Sequence, residues 1–187
     1  TGSRYEFPSD HINAYPIAHD GYNKFFDVSL KDCNMMLSTE ITDIDLDKNI
    51  IYTNNDKFEG DLIISTTSPD FLFKNCWGEL NYVGREFYKI VLPIENVLPK
   101  DVYFLYYPNE NEQQTRVTEF KKFTQHKSKN SLITLEVPSM KNKLYPTMIA
   151  KDVDLAQKYL DALPQKIMSV GRMGTYRYVD IDDIIMQ

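Results

Sequence analysis

Thr115-Arg116-Val117-Thr118-Glu119-Phe120-Lys121-Lys122-Phe123, followed by Leu132-Ile133-Thr134-Leu135-Glu136-Val137, decides how this chain folds. β-Branched and aromatic residues alternate with polar ones at a period of two, the signature of half-buried strands. On that reading Arg116, Thr118 and Phe120 share one face, and Val117, Glu119 and Lys121 share the other. Arg85 to Leu92 and Val102 to Tyr107 have the same character, and Pro, Asn or Lys-rich turn material bounds each run. Neighbouring strands of this kind predict an antiparallel sheet.

Upstream, Asp20-Gly21-Tyr22 opens a helix through Phe25, Phe26 and Leu30, with Asp20 as its N-cap. Met35-Met36-Leu37 reads as a short buried strand. Asp43 to Asp47 alternates acid and apolar residues as a half-exposed strand, and Lys48-Asn49 turns it into Ile50-Ile51-Tyr52. Leu62 to Thr66 is another strand, and Pro69 starts a helical turn through Leu72. Downstream, Asp152 caps a helix that carries Leu155, Tyr159 and Leu163 on one face. Ile167 to Val170 then forms a buried strand, and a last helix from Tyr176 to Ile185 is capped by Thr175. The pattern predicts an α+β fold, a largely antiparallel or mixed β-sheet with a few helices. It divides into an extended segment 1–20, a sheet domain 21–150 and a helix–strand–helix segment 151–187.

Composition narrows the function. The 187 residues carry 21 Lys+Arg against 27 Asp+Glu, a net charge of −6, which disfavours nucleic-acid binding. The balance is uneven, because Arg116 to Lys129 is basic and suits an anionic ligand. No apolar run has the ~18 residues of a membrane span. Only 7 glycines occur, and neither GxGxxG nor GxxxxGK[ST] can be written. Cys33 and Cys76 form no CxxC and are expected as buried free thiols in a reducing cytoplasm. Asp43-x-Asp45-x-Asp47 lacks the Gly and Glu of a calcium loop, and no HExxH occurs, so no metal site is expected. The histidines, His11, His19 and His126, form no nucleophile motif.

The strongest local signal is Val170-Gly171-Arg172-Met173-Gly174-Thr175-Tyr176-Arg177-Tyr178-Val179-Asp180. Two glycines permit close backbone approach, and a helix starting at Gly174–Tyr176 would offer free N–H groups to an anion. A plain turn with packed tyrosines is the alternative.

Together with Gly21-Tyr22-Asn23-Lys24, Gly78-Glu79-Leu80-Asn81-Tyr82, Arg85-Glu86-Phe87, Thr115 to Phe123 and Leu144-Tyr145-Pro146, this motif resembles the UDP-galactopyranose mutase family. The resemblance implies a flavin amine-oxidase-like fold and an isomerase that interconverts UDP-galactopyranose and UDP-galactofuranose for cell-surface polysaccharide (lipopolysaccharide). In that family reduced FAD attacks the anomeric carbon through N5 and displaces UDP, so the catalytic group is the flavin. Carried over by position, Arg116, Tyr145, Tyr178 and Asp180 would bind the UDP diphosphate. Arg172, Gly171, Gly174 and Tyr176 would contact FAD. Aligning Asp10 to Pro16 on the family's pattern puts His11 at an Arg and Ile12 at a Tyr, and Val83 stands where an Arg is usual. A related nucleotide sugar is therefore open as substrate. Without a glycine-rich turn the chain is expected to be a C-terminal portion, cytoplasmic, without flavin or activity alone, and a homo-oligomer is open. A non-catalytic nucleotide-sugar or glycan module and another amine-oxidase-like flavoprotein are the alternatives.

Overall fold

A computed structural model describes residues 15–187. In chain order the helices are α1 (Asn23–Ser29), α2 (Pro69–Leu72), α3 (Ala150–Asp161), α4 (Gly171–Gly174) and α5 (Ile181–Ile185). The strands are β1 (Ile41–Asp45), β2 (Ile50–Thr53), β3 (Lys57–Glu59), β4 (Ile63–Ser65), β5 (Tyr82–Leu92), β6 (Phe104–Tyr106), β7 (Arg116–Glu119), β8 (Ser131–Ser139), β9 (Tyr145–Pro146) and β10 (Ile167–Ser169). These form an α+β chain with mixed helices and mainly antiparallel sheets, as expected. Two compact units divide it: residues up to Met35 with Glu86–Pro138, and Met36–Arg85 with Ser139–Gln187. The positions of His11 and Ile12 lie outside the described residues.

The first unit is built on strands ordered β6-β7-β8-β5. Strand β7 pairs antiparallel with both β6 and β8, and Val117, Thr118 and Glu119 are all buried. The strand expected through Phe123 stops at Glu119, where Phe120–Lys122 turn as a 3-10 helix. The cause is nonlocal. Lys122 Nζ donates to the carbonyls of Leu98 (2.8 Å), Pro99 and Val102 (2.9 Å), which pulls Phe120 and Lys121 off the alternating faces. Tyr103, Phe104, Phe123 and Tyr15 pack as rings around this turn. Helix α1 starts after Tyr22 rather than on an Asp20 cap and buries none of its residues. Met35, Met36 and Leu37 are exposed and form no strand, because no neighbouring strand pairs with them.

In the second unit β1, β2 and β3 form an antiparallel meander. Its first turn uses Asn49 at φ 55°, a left-handed position that asparagine tolerates. Asp43 and Asp45 on β1 pair with Lys74 and Lys48, as a half-exposed strand allows. Strands β4 and β10 run parallel, joined in one apolar cluster by Ile44, Ile63, Leu72 and Ile167. A second cluster holds Leu80, Tyr82, Ala156, Tyr159 and Tyr176, so α3 buries Ala156 and Tyr159 against the start of β5. Asp152 does not cap α3, whose N-cap is Ile149. Instead the buried Asp152 carboxylate accepts from Asn81 Nδ2 (3.0 Å) and Thr147 Oγ1 (2.6 Å), tying α3 to the β5–β9 edge. Both thiols are exposed, Cys33 outside any packed element and Cys76 in the turn after α2, contrary to the expected burial. Among the described residues no helix is long and apolar enough to cross a membrane.

Candidate functional site

The segment after β10 turns sharply twice. Gly171 takes φ +78°, which starts the four-residue α4, and Tyr176 takes φ +51°, which ends it. No helix begins at Tyr176. Thr175 caps the C-terminal side of α4 with its hydroxyl on the Gly171 carbonyl (2.8 Å), and the last helix starts at Ile181 behind an Asp180–Asp183 capping box. The anion-facing helix terminus expected at Gly174–Tyr176 is therefore absent.

What holds Tyr176 in a left-handed conformation is its own buried hydroxyl. It donates to the Asn81 carbonyl (2.5 Å) and meets Thr147 Oγ1 (3.0 Å). Burial pushes this phenol above its ordinary pKa, as it does the phenol of Tyr82, whose ring packs edge-on 5.1 Å away. Tyr82 in turn donates to Ser68 Oγ (2.8 Å), and Ser68 donates to the buried Asp70. A non-glycine residue at positive φ costs on the order of 1–3 kcal/mol and persists where its surroundings over-determine it.

That reversal brings four of the anticipated residues together in the second unit. The rings of Tyr145 and Tyr178 stack with centroids 5.6 Å apart and planes at 23°. The Arg172 guanidinium carbon lies 4.9 Å from the first ring centre and 4.7 Å from the second. Its Nε and Nη2 donate to the Val179 carbonyl (3.1 and 3.0 Å), and Nη2 also reaches Asp180 Oδ1 at 3.3 Å. Cation–π contact and a backbone acceptor fix the cation, while its carboxylate contact, Asp180, is largely in solvent.

Gly174 and Tyr176 are placed differently. A Cβ at Gly174 would press on Ser169 Oγ and the Ser65 carbonyl, both 3.0 Å away, so this glycine serves packing against β4 and β10. Tyr176 is 2% exposed and belongs to the apolar cluster. Gly171 has open space where its Cβ would be, and its N–H donates to Gln187 Oε1 (3.0 Å). A groove of about 470 Å³ is lined by Ser169, Thr175, Val179, Asp183 and Gln187 among others. The groove lies past the carboxyl end of the parallel pair, where open α/β sheets place ligands. Gly171 and Gly174 are both buried, and Tyr176 packs in the apolar cluster behind them.

Arg116 sits in the first unit. The register aligns Tyr106, Arg116 and Glu136 across β6, β7 and β8. Arg116 Nε donates to Glu136 Oε1 at 2.6 Å, and its guanidinium lies 5.7 Å from the Phe104 ring centre and 5.8 Å from that of Tyr106. Burial alone would lower its pKa, but bonds to Glu136 and Tyr106 outweigh it and hold the cation more firmly charged.

Three features escape sequence reasoning. Arg85 also lies over Tyr145, at 5.3 Å from the ring centre, a contact set by strand register alone. Glu119 is wholly buried and accepts from Leu98 N–H (2.9 Å), Val97 N–H (3.1 Å) and Ser131 Oγ, with Lys122 Nζ at 3.3 Å. His19 and His126, far apart in sequence, bring ring nitrogens to 3.1 Å.

A family model described as GLF, UDP-galactopyranose mutase, matches residues 2–178. The solved structure of reduced UDP-galactopyranose mutase aligns at 19% identity and a TM-score of 0.61, covering 78% of this chain and 43% of that one. The PF1083 protein from Pyrococcus furiosus aligns over the same shares at 14% identity and a TM-score of 0.43. No curated protein matches the chain. The chain thus spans less than half the length of the solved structures it is similar to. With the ordered motifs, the mixed fold and a family match over most of its length, the chain belongs to the UDP-galactopyranose mutase family.

Proposed function

We propose that this chain is the substrate-binding and flavin-closing part of an isomerase that interconverts UDP-galactopyranose, or a related nucleotide sugar, with its furanose form. The observation that carries this is the Tyr145–Arg172–Tyr178–Asp180 cluster, built from β9, α4 and the loop that follows it. The two phenols make a compact donor pair for diphosphate oxygens with Asp180 beside them, and Arg172 braces both rings. The family's motif also makes Arg116, on β7, a diphosphate-binding residue in this reading. Its cation is permanent, which keeps the bound UDP compensated when it departs as a leaving group.

Arg172, Gly171, Gly174 and Tyr176 of segment 151–187 would form the wall that faces FAD, with Gly174 and Tyr176 supporting it from inside. When bound and reduced, the flavin supplies the nucleophile that replaces UDP at the anomeric carbon. The protein's own residues keep UDP beside the sugar through ring opening and closure, so that it can recombine. Alone, the 187 residues are expected to bind no flavin and to turn nothing over; joined to a dinucleotide-binding segment, they serve cell-surface polysaccharide synthesis in the cytoplasm.

The test is turnover of UDP-galactofuranose by a protein that joins this chain to such a segment. Activity should depend on flavin reduction. Turnover indifferent to the flavin's redox state would overturn the isomerase reading, as would isolated 187-residue chain that purifies with about one flavin per molecule.

A further inference from the structure

His19 and His126 lie 107 residues apart in sequence, yet His19 Nε2 and His126 Nδ1 stand 3.1 Å from each other. Their ring centres are 4.6 Å apart and their planes cross at 90°. Both side chains are exposed, and both belong to the first unit.

Each imidazole stands on a fixed support. Gln125 takes φ 55°, and the His126 N–H donates to the Lys121 carbonyl at 3.0 Å. That bond closes the turn begun by the 3-10 helix Phe120–Lys122. His19 lies in the turn before α1, where the Gly21 N–H donates to the Ala18 carbonyl (3.1 Å). Four residues earlier Tyr15 packs on Phe123, with ring centres 4.4 Å apart. The segment entering α1 is thus fastened to the turn after β7 at two points, an aromatic pair and the histidine pair.

A proton shared by two exposed imidazoles makes a modest hydrogen bond, because water competes for both nitrogens. The same two nitrogens suit a metal ion. Ligands about 2.0–2.1 Å from one zinc ion stand about 2.9 Å apart at a right angle and about 3.3 Å apart at the tetrahedral angle. The observed 3.1 Å lies between these values. Binding costs no net proton, since a neutral imidazole can carry its N–H on the other ring nitrogen. Among the described residues no third His, Cys, Asp or Glu joins the pair as a ligand, which leaves the remaining positions to water. Two imidazoles without a carboxylate select zinc, copper or nickel over magnesium or calcium.

We propose that His19 and His126 form a two-imidazole site for a divalent transition-metal ion, which clips the segment before α1 to the turn after β7. The site is independent of the nucleotide-sugar reading. The expectation of no metal site rested on local spacing, which is blind to ligands so far apart in the chain.

The experiment is calorimetric titration of the 187-residue chain and its His19→Gln and His126→Gln variants with Zn²⁺ and, separately, Mg²⁺, with nitrogen-15 NMR of the imidazoles. Zn²⁺ should bind the wild type and shift His19 Nε2 and His126 Nδ1 together, and Mg²⁺ should do neither. Each variant should weaken Zn²⁺ binding by on the order of tenfold or more. Zn²⁺ should also raise the thermal unfolding midpoint of the wild type and leave that of either variant unmoved, while the metal-free midpoints of all three show that the fold is kept. Zn²⁺ binding as tight in either variant as in the wild type would overturn the site, as would a wild type that binds no Zn²⁺ or one whose His19 and His126 nitrogens stay unmoved. The pair would then be a hydrogen bond and nothing more.

Discussion

Arg116 in the first unit and Arg172 in the second both lie against aromatic rings, yet they are held in opposite ways. Arg116 faces Glu136, whose side chain is only 3% exposed, so its charge is answered inside the sheet. Arg172 rests on a backbone carbonyl, two tyrosine rings and Asp180, whose side chain is 77% exposed. An ion paired with a buried carboxylate is bound first to its own fold, since removing either partner strands a charge away from water. An ion braced by neutral groups and a solvated acid keeps most of its field for a ligand. The contrast separates an arginine whose charge is answered within its own sheet from one whose carboxylate partner lies largely in solvent.

The largest effect that tests this contrast belongs to Glu119, the other buried carboxylate of the first unit. Glu119→Ala should cost about 3–5 kcal/mol in urea unfolding, because Lys122 and the amides of Val97 and Leu98 lose their acceptor. Burial would raise the Glu119 pKa, but bonds from Ser131, Leu98, Val97 and Lys122 prevail and lower it below the ordinary 4.5. The stability it confers is full above that value and is lost as pH falls through the lower folded-state pKa. The unfolding midpoint should therefore drop steeply in acid, and Glu119→Gln should flatten that drop. An unchanged acid slope would remove Glu119 as its source.

Next in size, Arg116→Met should destabilise by about 2–3 kcal/mol, with Arg116→Met combined with Glu136→Leu recovering most of the loss. A single variant as stable as the wild type would dissolve the distinction drawn between the two arginines. Gly84→Ala should cost about 2 kcal/mol by displacing Asn142 from the backbone of Arg85. The smallest change is expected for Arg172→Gln, within about 1 kcal/mol of wild type in stability. A loss matching that of Arg116→Met would make Arg172 a structural ion after all.

Much of the fold is written locally. The acid–apolar alternation of Asp43 to Asp47 and the Lys48-Asn49 turn give the β1–β2 hairpin, and the spacing of Leu155 and Tyr159 gives α3. Three of the departures share one physical origin, capture of a segment by a distant group. Lys122 ends β7 early because three carbonyls some twenty residues upstream claim its ammonium. Tyr176 leaves the helical region because Asn81 and Thr147 claim its hydroxyl. Asp152 looks like a cap and instead bonds across to Asn81. At the site, the family's motifs pointed to Tyr145, Tyr178 and Asp180 with Arg116 for the diphosphate and to Arg172 for FAD; that Arg172 lies against Tyr145 and Tyr178 was not legible. Their stacking, and the arrival of Arg85 beside them, depend on strand register and a left-handed tyrosine that no spacing rule announces.

The most direct measurement is a side-chain NMR titration of the chain with UDP against uridine, following the Tyr145 and Tyr178 rings and the Arg172 Nε–H. Those three signals should move together with UDP and barely with uridine, while Tyr159, on the buried face of α3, stays still. If UDP leaves them unmoved, or uridine moves them as far, the ring-and-guanidinium cluster is not where this chain meets a diphosphate.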